Sequence, residues 1–340
     1  MINHNLIQPF YFPTSVIFVD DNTDFLENLS LQLDPDLAFL LYGSPIEALT
    51  VVNETSNPST PIERLFSCYG NTDNAPRPHH AIDVKLDKVH REVYNQRRFE
   101  QISVAVVDYD MPGIDGVEFC KNIKNTSIKK ILLTGKADEK IAVQAFNQGI
   151  IDCFITKQDK DVTSTLNKSV SRLQHAYFRQ TERMLADTLA ICRFDFLRDP
   201  LFQEEFNTIC ARLKIVEFYL CSEPDGMLML NAKGESYLLI VPSEDTLLSQ
   251  YEIAVEMGAP QELLTALKSN KIVPYFWRNE GHYFPEYINW RNDLFPATEF
   301  KGKKNYTYAI VENPVLFKAH TILPYHIFLD NLDLKRRCKH

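Results

Sequence analysis

Membrane and export signals are missing from this sequence of 340 residues. A membrane-spanning helix needs about 18 consecutive apolar residues, and no run in this sequence approaches that length. The start, Met1 to Asn5, lacks the basic segment and apolar core of a signal peptide. The seven cysteines include no Cys-x-x-Cys pair, a pattern typical of scattered reduced thiols. We therefore expect a cytoplasmic protein without membrane insertion.

A basic excess is also lacking. The formal net charge is −9, which disfavours general affinity for nucleic acid. In residues 195–340 the acidic residues outnumber the basic ones, and the only basic cluster is the C-terminal run 335–340. Such a run is more typical of a solvated end than of a DNA-binding arm. Nucleic acid is therefore a disfavoured partner that the sequence leaves open.

Signatures of several enzyme classes are absent as well. The sequence contains no Gly-Gly-Asp-Glu-Phe motif, no glycine-rich phosphate loop and no paired zinc ligands. These absences disfavour a diguanylate cyclase, a nucleotide enzyme with a phosphate loop and a zinc site. We do not expect an enzyme, although an enzyme of unfamiliar type stays open for the second half.

Strands alternate with helices through residues 14–160. Short apolar runs separated by amphipathic segments suit strands that are covered on both faces, and they predict a doubly wound parallel sheet. The predicted strands cover residues 15–19, 37–42, 102–107, 130–133 and 150–155.

The connection between the second and third predicted strands is unusually long. Residues 54–83 are rich in Asn, Ser, Thr and Pro, which predicts a loop. Residues 84–100 regain helical spacing. We interpret residues 54–100 as an insertion that can carry a partner surface.

Charged and hydroxyl side chains lie at the ends of four of these strands: Asp20 with Asp21, then Asp108, Thr134 and Lys157. Ligands of such sheets collect at the carboxyl ends of the strands, so we expect these side chains to converge. Three carboxylates together need a hard cation such as Mg²⁺. The cation and the lysine can neutralise a phosphoryl group that is transferred to a carboxylate, which we predict to be Asp108. Thr134 can hydrogen-bond the attached group.

Residues 14–160 resemble the receiver domain of bacterial two-component response regulators. The matching pattern is the acidic pair, the phospho-acceptor aspartate followed by Met-Pro-Gly-x-x-Gly at 111–116, the threonine and the lysine. The resemblance implies a (βα)5 flavodoxin-like fold and phosphorylation of Asp108 by a sensor histidine kinase. It also implies that Mg²⁺ binds the side chains of Asp21 and Asp108 and the main-chain carbonyl of Asp110, with Asp20 acting through water. Phe154, three residues before the lysine, occupies the position of the conformational switch.

Two positions of the receiver pattern need comment. The family usually has proline after its lysine, whereas Gln158 follows Lys157 here, so we expect a trans peptide bond. Asp110 and Lys136 occupy the positions that tune hydrolysis of the acyl phosphate in receivers. They either pair across the pocket and hinder the attacking water, or are two solvated charges at its rim.

A long helix is predicted over residues 161–192. Its apolar residues follow steps of three and four: Val162, Leu166, Val170, Leu173, Tyr177, Met184, Leu185 and Leu189. The pattern fits a dimer seam. It equally fits a last receiver helix packed on its own sheet, followed by a linker helix. We therefore divide the chain into a receiver (1–160), a linker or dimerisation helix (161–194) and an output domain (195–340).

The output domain is predicted as α+β with an antiparallel sheet. Strand-like segments at 216–220, 227–230, 237–241 and 306–311 accompany helical segments at 244–256 and 260–270. The aromatic residues of 271–300 are more typical of a core than of a ligand cage. Three functions stay open: an interaction or ligand-sensing module switched by phosphorylation and homodimerisation, a DNA-binding regulator of transcription, and a nucleotide-processing enzyme.

With its insertion and second half, the whole chain resembles quorum-sensing response regulators of the Lqs type. This resemblance implies signalling from membrane histidine kinases that detect a diffusible autoinducer.

Overall fold

A computed structural model describes residues 7–55, 66–70, 80–84, 86–135, 138–178, 194–279, 281–317 and 321–337. Within these ranges, no helix combines the length and the apolar character that crossing a membrane requires.

The strands, numbered in chain order, are β1 (Phe10–Tyr11), β2 (Ser15–Val19), β3 (Phe39–Tyr42), β4 (Phe66–Gly70), β5 (His80–Val84), β6 (Ile102–Asp108), β7 (Lys129–Thr134), β8 (Cys153–Thr156), β9 (Ile215–Ser222), β10 (Asp225–Asn231), β11 (Ser236–Ile240), β12 (Ile272–Pro274), β13 (Leu294–Pro296), β14 (Thr298–Lys301) and β15 (Asn305–Glu312). The α-helices are α1 (Thr23–Ser30), α2 (Pro45–Thr55), α3 (Gly116–Asn122), α4 (Glu139–Asn147), α5 (Val162–Tyr177), α6 (Pro200–Leu213), α7 (Glu244–Glu256), α8 (Gln261–Lys268) and α9 (Tyr325–Arg337).

Five strands form a parallel sheet in the order β3-β2-β6-β7-β8. Every residue of β2 and β6 is buried, because helices cover both faces of such a sheet. The strand order is that of flavodoxin-like folds and confirms the predicted doubly wound sheet. The Lys157–Gln158 peptide bond is trans, as predicted.

Two polar residues begin helices next to this sheet. The Asn22 side chain accepts a hydrogen bond from the Phe25 N–H (3.0 Å) and caps α1. The Asp115 side chain accepts one from the Glu118 N–H (2.8 Å) and caps α3. Each cap satisfies an N–H that has no partner inside its own helix, and fixes where the helix starts after a strand.

Six strands form an antiparallel sheet in the order β1-β9-β10-β11-β15-β14. All of β10 is buried, and α6 packs over the sheet through Phe206, whose ring meets that of Phe218. The predicted α+β region with an antiparallel sheet is confirmed. The aromatic stretch also belongs to a core, since Phe276, Tyr283 and Trp290 are buried together with residues of α7 and α8.

The chain forms two compact units that are discontinuous in sequence. The parallel-sheet unit contains the described residues within 13–64, 97–183 and 328–340, and the antiparallel-sheet unit those within 1–12, 65–96 and 184–327. The predicted division followed sequence order instead. The units differ from it because the short strand β1 pairs with β9, Phe10 opposite Tyr219, and residues of the insertion group with the same sheet.

Two predicted segments have a different local structure. Residues 80–84 of the predicted loop form β5, which pairs antiparallel with β4, Phe66 opposite Val84. The helix predicted over 84–100 is wrong. Short 3-10 helices occur there instead, at Leu86–Lys88, His90–Tyr94 and Arg98–Glu100. Apolar residues three or four apart fit successive tight turns as well as one α-helix, so the spacing did not distinguish them.

The first half of the predicted long helix is α5. Its residues Leu166, Val170 and Leu173 lie in the core of the parallel-sheet unit with Val104 and Val106. That half therefore packs on its own sheet, which removes these three side chains from any dimer seam. Residues 179–193, which hold Met184, Leu185 and Leu189, lie outside the described residues.

The end of α9 packs on the outer strand of the parallel sheet. The Ala38 carbonyl accepts from the Val16 N–H inside the sheet, so the next carbonyl, that of Phe39, points to the open edge. There it accepts a hydrogen bond from Arg336 (2.5 Å), whose guanidinium also lies 3.6 Å from the centre of the Phe39 ring. Arg336 pairs with Asp333 as well (2.7 Å). The expectation of a solvated basic end is therefore wrong for Arg336.

Candidate functional site

The predicted site residues lie at one edge of the parallel sheet. Asp20 directly follows β2, Asp108 is the last residue of β6, Thr134 ends β7 and Lys157 directly follows β8. All of these strands run in the same direction, so their carboxyl ends meet. The side chains of Asp20, Asp108 and Lys157 are in contact there, as their ion pairs show.

The Lys157 ammonium joins two aspartates. Its Nζ lies 2.6 Å from Asp20 Oδ2 and 2.8 Å from Asp108 Oδ1. The Asp20 carboxylate is 1% exposed, and its other oxygen accepts a hydrogen bond from the Asn22 N–H (3.0 Å). Burying a carboxylate without partners is costly, and Asp20 has a partner on each oxygen.

Asp21 completes a group of three carboxylates. One oxygen each from Asp20, Asp21 and Asp108 lie within 4.8 Å of one another. Three carboxylates against the single Lys157 ammonium leave two net negative charges, which a divalent cation balances. Hard oxygen donors are also the ligands that Mg²⁺ prefers. Asp21 is exposed to solvent and gives a cation access to the buried pair. The residues present therefore fit a magnesium ion.

Burial and charge act in opposition on the Asp108–Lys157 pair. Burial raises the pKa of Asp108, and the hydrogen bond from Lys157 only partly offsets this. Burial also lowers the pKa of Lys157, but its hydrogen bonds to Asp108 and Asp20 outweigh that effect and the pKa is raised overall. The two directions have different causes, since burial dominates at Asp108 whereas the two neighbouring carboxylates together dominate at Lys157. The lysine therefore stays charged throughout the physiological range.

The Thr134 hydroxyl lies on the strand next to that of Asp108. In the parallel register Asp108 lies opposite Leu133, so Thr134 is one residue further along β7. The Thr134 side chain is fully buried, and its hydroxyl has no hydrogen-bond partner among the described residues. Burying a hydroxyl without a hydrogen-bond partner costs free energy, and such a hydroxyl is typical of a site where a ligand supplies the partner. Its main-chain carbonyl accepts from the Lys157 N–H (2.9 Å) and ties β7 to the lysine.

The turn after Asp108 approaches that residue very closely. The Gly116 N–H donates to the Tyr109 carbonyl (2.9 Å). A Cβ atom at Gly116 would lie 2.2 Å from the Asp108 carbonyl oxygen, a distance that no side chain tolerates. Gly113 in the same turn has a φ of 86°, which favours glycine. The two glycines of the Met-Pro-Gly-x-x-Gly pattern therefore have separate structural reasons.

The remaining predicted residues are placed less tightly. Phe154 lies on β8, half-buried, with its ring perpendicular to that of Phe146 at 6.5 Å. Asp110 is exposed in the turn after β6. Lys136 lies outside the described residues, so its predicted pairing with Asp110 stays a prediction.

One residue near the site was missed by the motif pattern. The Lys157 ammonium lies 4.5 Å from the centre of the Phe25 ring, on the first turn of α1. Phe25 lies on a helix, outside the strand-end residues that the motif pattern singles out. The contact joins residues 132 positions apart, and no local pattern signals it.

The pH dependence of stability tests the strain on Asp108. In the absence of divalent cations, Asp108→Asn is expected to gain stability relative to wild type between about pH 4 and about pH 7. The folded pKa of Asp108 is raised, so its contribution to stability is complete below the unfolded pKa and is lost as the pH rises through the folded pKa. Asparagine does not titrate, and Lys157 keeps its charge across this window.

Thermal unfolding at the two pH values measures this effect, with an expected relative gain of a few degrees. Asp110→Asn is the matched control, because it makes the same chemical change at an exposed side chain. A constant difference for Asp108→Asn would mean that its carboxylate is not strained by burial.

Comparison with known proteins also identifies a receiver domain in this chain. The family model of the response regulator receiver domain matches residues 79–166. The structure of the response regulator LqsR from Legionella pneumophila is 38% identical, covers 98% of this chain and 98% of its own, and superposes with a TM-score of 0.77. No curated protein sequence matches the chain.

Two other solved structures cover about half of the chain. An adenylate cyclase from Rhodopirellula baltica is 19% identical over 52% of this chain and 98% of its own, with a TM-score of 0.36. A CheY-like receiver domain protein from Methanospirillum hungatei is 16% identical over 49% and 98%, with a TM-score of 0.33. Scores this low carry no weight. The full-length match is different, because it covers both units at substantial identity. Because the full-length match and the receiver-domain match agree, the chain belongs to the LqsR-like response regulators of two-component systems.

Proposed function

We propose that Asp108 accepts a phosphoryl group from a sensor histidine kinase in the presence of Mg²⁺. The observation that carries this proposal is the Lys157 ammonium held between Asp20 and Asp108, at 2.6 and 2.8 Å, inside a group of three carboxylates. A carboxylate oxygen of Asp108 attacks phosphorus, an oxygen–phosphorus bond forms, and the bond from phosphorus to the kinase imidazole breaks. The electron pair of that bond leaves with the imidazole.

Each residue of the site then has a defined task. Asp21 and Asp108, with the main-chain carbonyl of Asp110, would hold Mg²⁺ directly, and Asp20 would act on it through water. The ion would supply positive charge against the phosphoryl oxygens. The Lys157 ammonium supplies a second positive charge against the same oxygens. The Thr134 hydroxyl, which has no partner among the described residues, forms a hydrogen bond to the attached group.

The response to phosphorylation follows from the same contacts. Once Asp108 carries a phosphoryl group, its oxygens offer the Thr134 hydroxyl a hydrogen-bond acceptor, and the hydroxyl moves toward it. Phe154 lies two residues before Thr156, which pairs with Thr134 across β7 and β8. We propose that Phe154 changes its position with Thr134 and is the conformational switch. Asp110 and Lys136 tune how fast the phosphoryl group is lost.

We further propose that this switch controls a non-enzymatic output through a phosphorylation-dependent homodimer, in quorum-sensing signalling. The likeness to the response regulator LqsR over 98% of both chains supports a response-regulator role for the whole chain. The dimer contact would involve surfaces other than Leu166, Val170 and Leu173, which are buried in the parallel-sheet unit.

Locating the phosphoryl group in the full chain tests the proposal. The wild-type protein is incubated with acetyl phosphate and Mg²⁺, the acyl phosphate is reduced with borohydride, and the peptides are mapped by mass spectrometry. We expect one modified residue, Asp108, and loss of the modification when EDTA is present from the start. Modification of Asp20 or Asp21 in place of Asp108 would contradict the assignment.

A further inference from the structure

We propose that Phe25 is a positioning residue for phosphoryl transfer, because the face of its ring holds the Lys157 ammonium against Asp108. This inference rests on the proposed function of Asp108. It adds a residue that lies outside the strand-end pattern and on a helix.

Among the described residues, three side chains interact with the lysine ammonium. Its ammonium meets Asp20 at 2.6 Å, Asp108 at 2.8 Å and the Phe25 ring centre at 4.5 Å. A cation within about 6 Å of a ring centre is attracted by the negative face of the ring. Water competes weakly with this contact because the lysine side chain is only 23% exposed.

The ring is itself held in place. Phe25 is half-buried against the apolar core of the parallel-sheet unit. Its N–H donates to the Asn22 side chain, and the Asn22 N–H donates to Asp20, both at 3.0 Å. One short segment therefore presents two of the three neighbours of Lys157, the Asp20 carboxylate and the Phe25 ring, in a fixed relation.

A ring suits this task better than another charged group. Lysine has a flexible stem, and its point charge can rotate among partners. During transfer the ammonium exchanges the Asp108 carboxylate for an oxygen of the phosphoryl group. A third carboxylate would compete for the ammonium at that moment. A ring face attracts the charge without taking its hydrogen bonds, so it confines the lysine and leaves its donors free.

The test is the initial rate of phosphorylation of the full chain by acetyl phosphate with Mg²⁺. Phe25→Leu is expected to lower this rate by about 3- to 10-fold, the range that one partly buried cation–ring contact contributes. Phe25→Tyr keeps the ring face and is expected to stay within about twofold of wild type. Leu29→Ala is the control for a loosened α1, because Leu29 is buried in the same core and its aliphatic side chain offers no ring face to a cation.

A double-mutant cycle separates positioning from a structural role. In a Lys157→Met background the ring has no cation to hold, so Phe25→Leu should leave the rate unchanged. An equal fractional loss in both backgrounds, or a loss of similar size in Leu29→Ala, would overturn the inference. Wild-type speed in Phe25→Leu would overturn it too. Thermal unfolding shows whether each variant is folded, and Phe25→Met supplies a second ring-free variant if the leucine variant is not.

The two proposals fail in different ways. If Asp108→Asn is phosphorylated as fast as wild type, the proposed function of Asp108 is wrong and the lysine contact loses its purpose. If wild type is modified at Asp108, Asp108→Asn is not, and Phe25→Leu matches wild type, only the role of Phe25 is wrong.

Discussion

Asp108→Asn is expected to lower phosphoryl incorporation from acetyl phosphate by at least about 1000-fold, to the detection limit. The amide that replaces the carboxylate is not a nucleophile, since its nitrogen lone pair is delocalised and its oxygen carries no full negative charge. Asp20 is no substitute, because it is 1% exposed and both of its oxygens are engaged, by Lys157 and by the Asn22 N–H. The measurement is the intact mass of the full chain after incubation with donor and Mg²⁺.

Asp330→Asn is the matched control for this loss. Asp330 is exposed on α9, so the variant makes the same chemical change outside the group of three carboxylates. It is expected to be modified to the same extent as wild type at early times. Thermal unfolding of Asp108→Asn must show a folded protein. Incorporation that persists in a folded Asp108→Asn variant would refute the acceptor assignment.

Gly116→Ala is expected to destabilise the parallel-sheet unit by about 3 kcal/mol. The added Cβ would lie 2.2 Å from the Asp108 carbonyl oxygen and 2.7 Å from a Leu132 methyl group. A methyl group of Leu132 can turn away, but the carbonyl is main chain at the end of a fully buried strand. Relief therefore requires α3 to move off the sheet, which breaks the hydrogen bond from the Gly116 N–H to the Tyr109 carbonyl.

Gly43→Ala provides the comparison. Its nearest neighbour would be the Thr23 methyl group at 3.3 Å, a contact that a small shift of one side chain relieves. We expect a change within about 1 kcal/mol there. Urea unfolding followed by circular dichroism gives both values, and the same samples show whether phosphorylation slows when the Asp108 main chain is displaced. Equal stability of the two variants would mean that the turn after Asp108 adapts freely.

The receiver fold was predictable from local patterns. Fully buried parallel strands such as β2 and β6 are continuous apolar runs, which the sequence shows directly. The convergence of Asp20, Asp108 and Lys157 followed from one topological rule, that parallel strands end at the same edge. Both helix starts were also predictable, because Asn22 and Asp115 are residue types that prefer the cap position.

Features that depend on distant parts of the chain were not predictable. The strand β1 has two residues, too few for any periodicity, and it exists only because β9 offers an edge to pair with. The Phe25–Lys157 contact and the closeness of Gly116 to Asp108 depend on how a helix is seated on the sheet. Sequence spacing states which face of a helix is apolar, but not which single side chain meets the end of a distant strand.

The contact of Arg336 with β3 affects how the protein should be handled in the laboratory. An outer strand with a free row of main-chain groups invites pairing with a second chain, and here the last turn of α9 occupies part of that row. A purification tag fused after residue 340, or a shortened chain that ends before Asp333, would compete with or remove this cover. Self-association of such a preparation would then reflect an uncovered strand and could be mistaken for the signalling dimer.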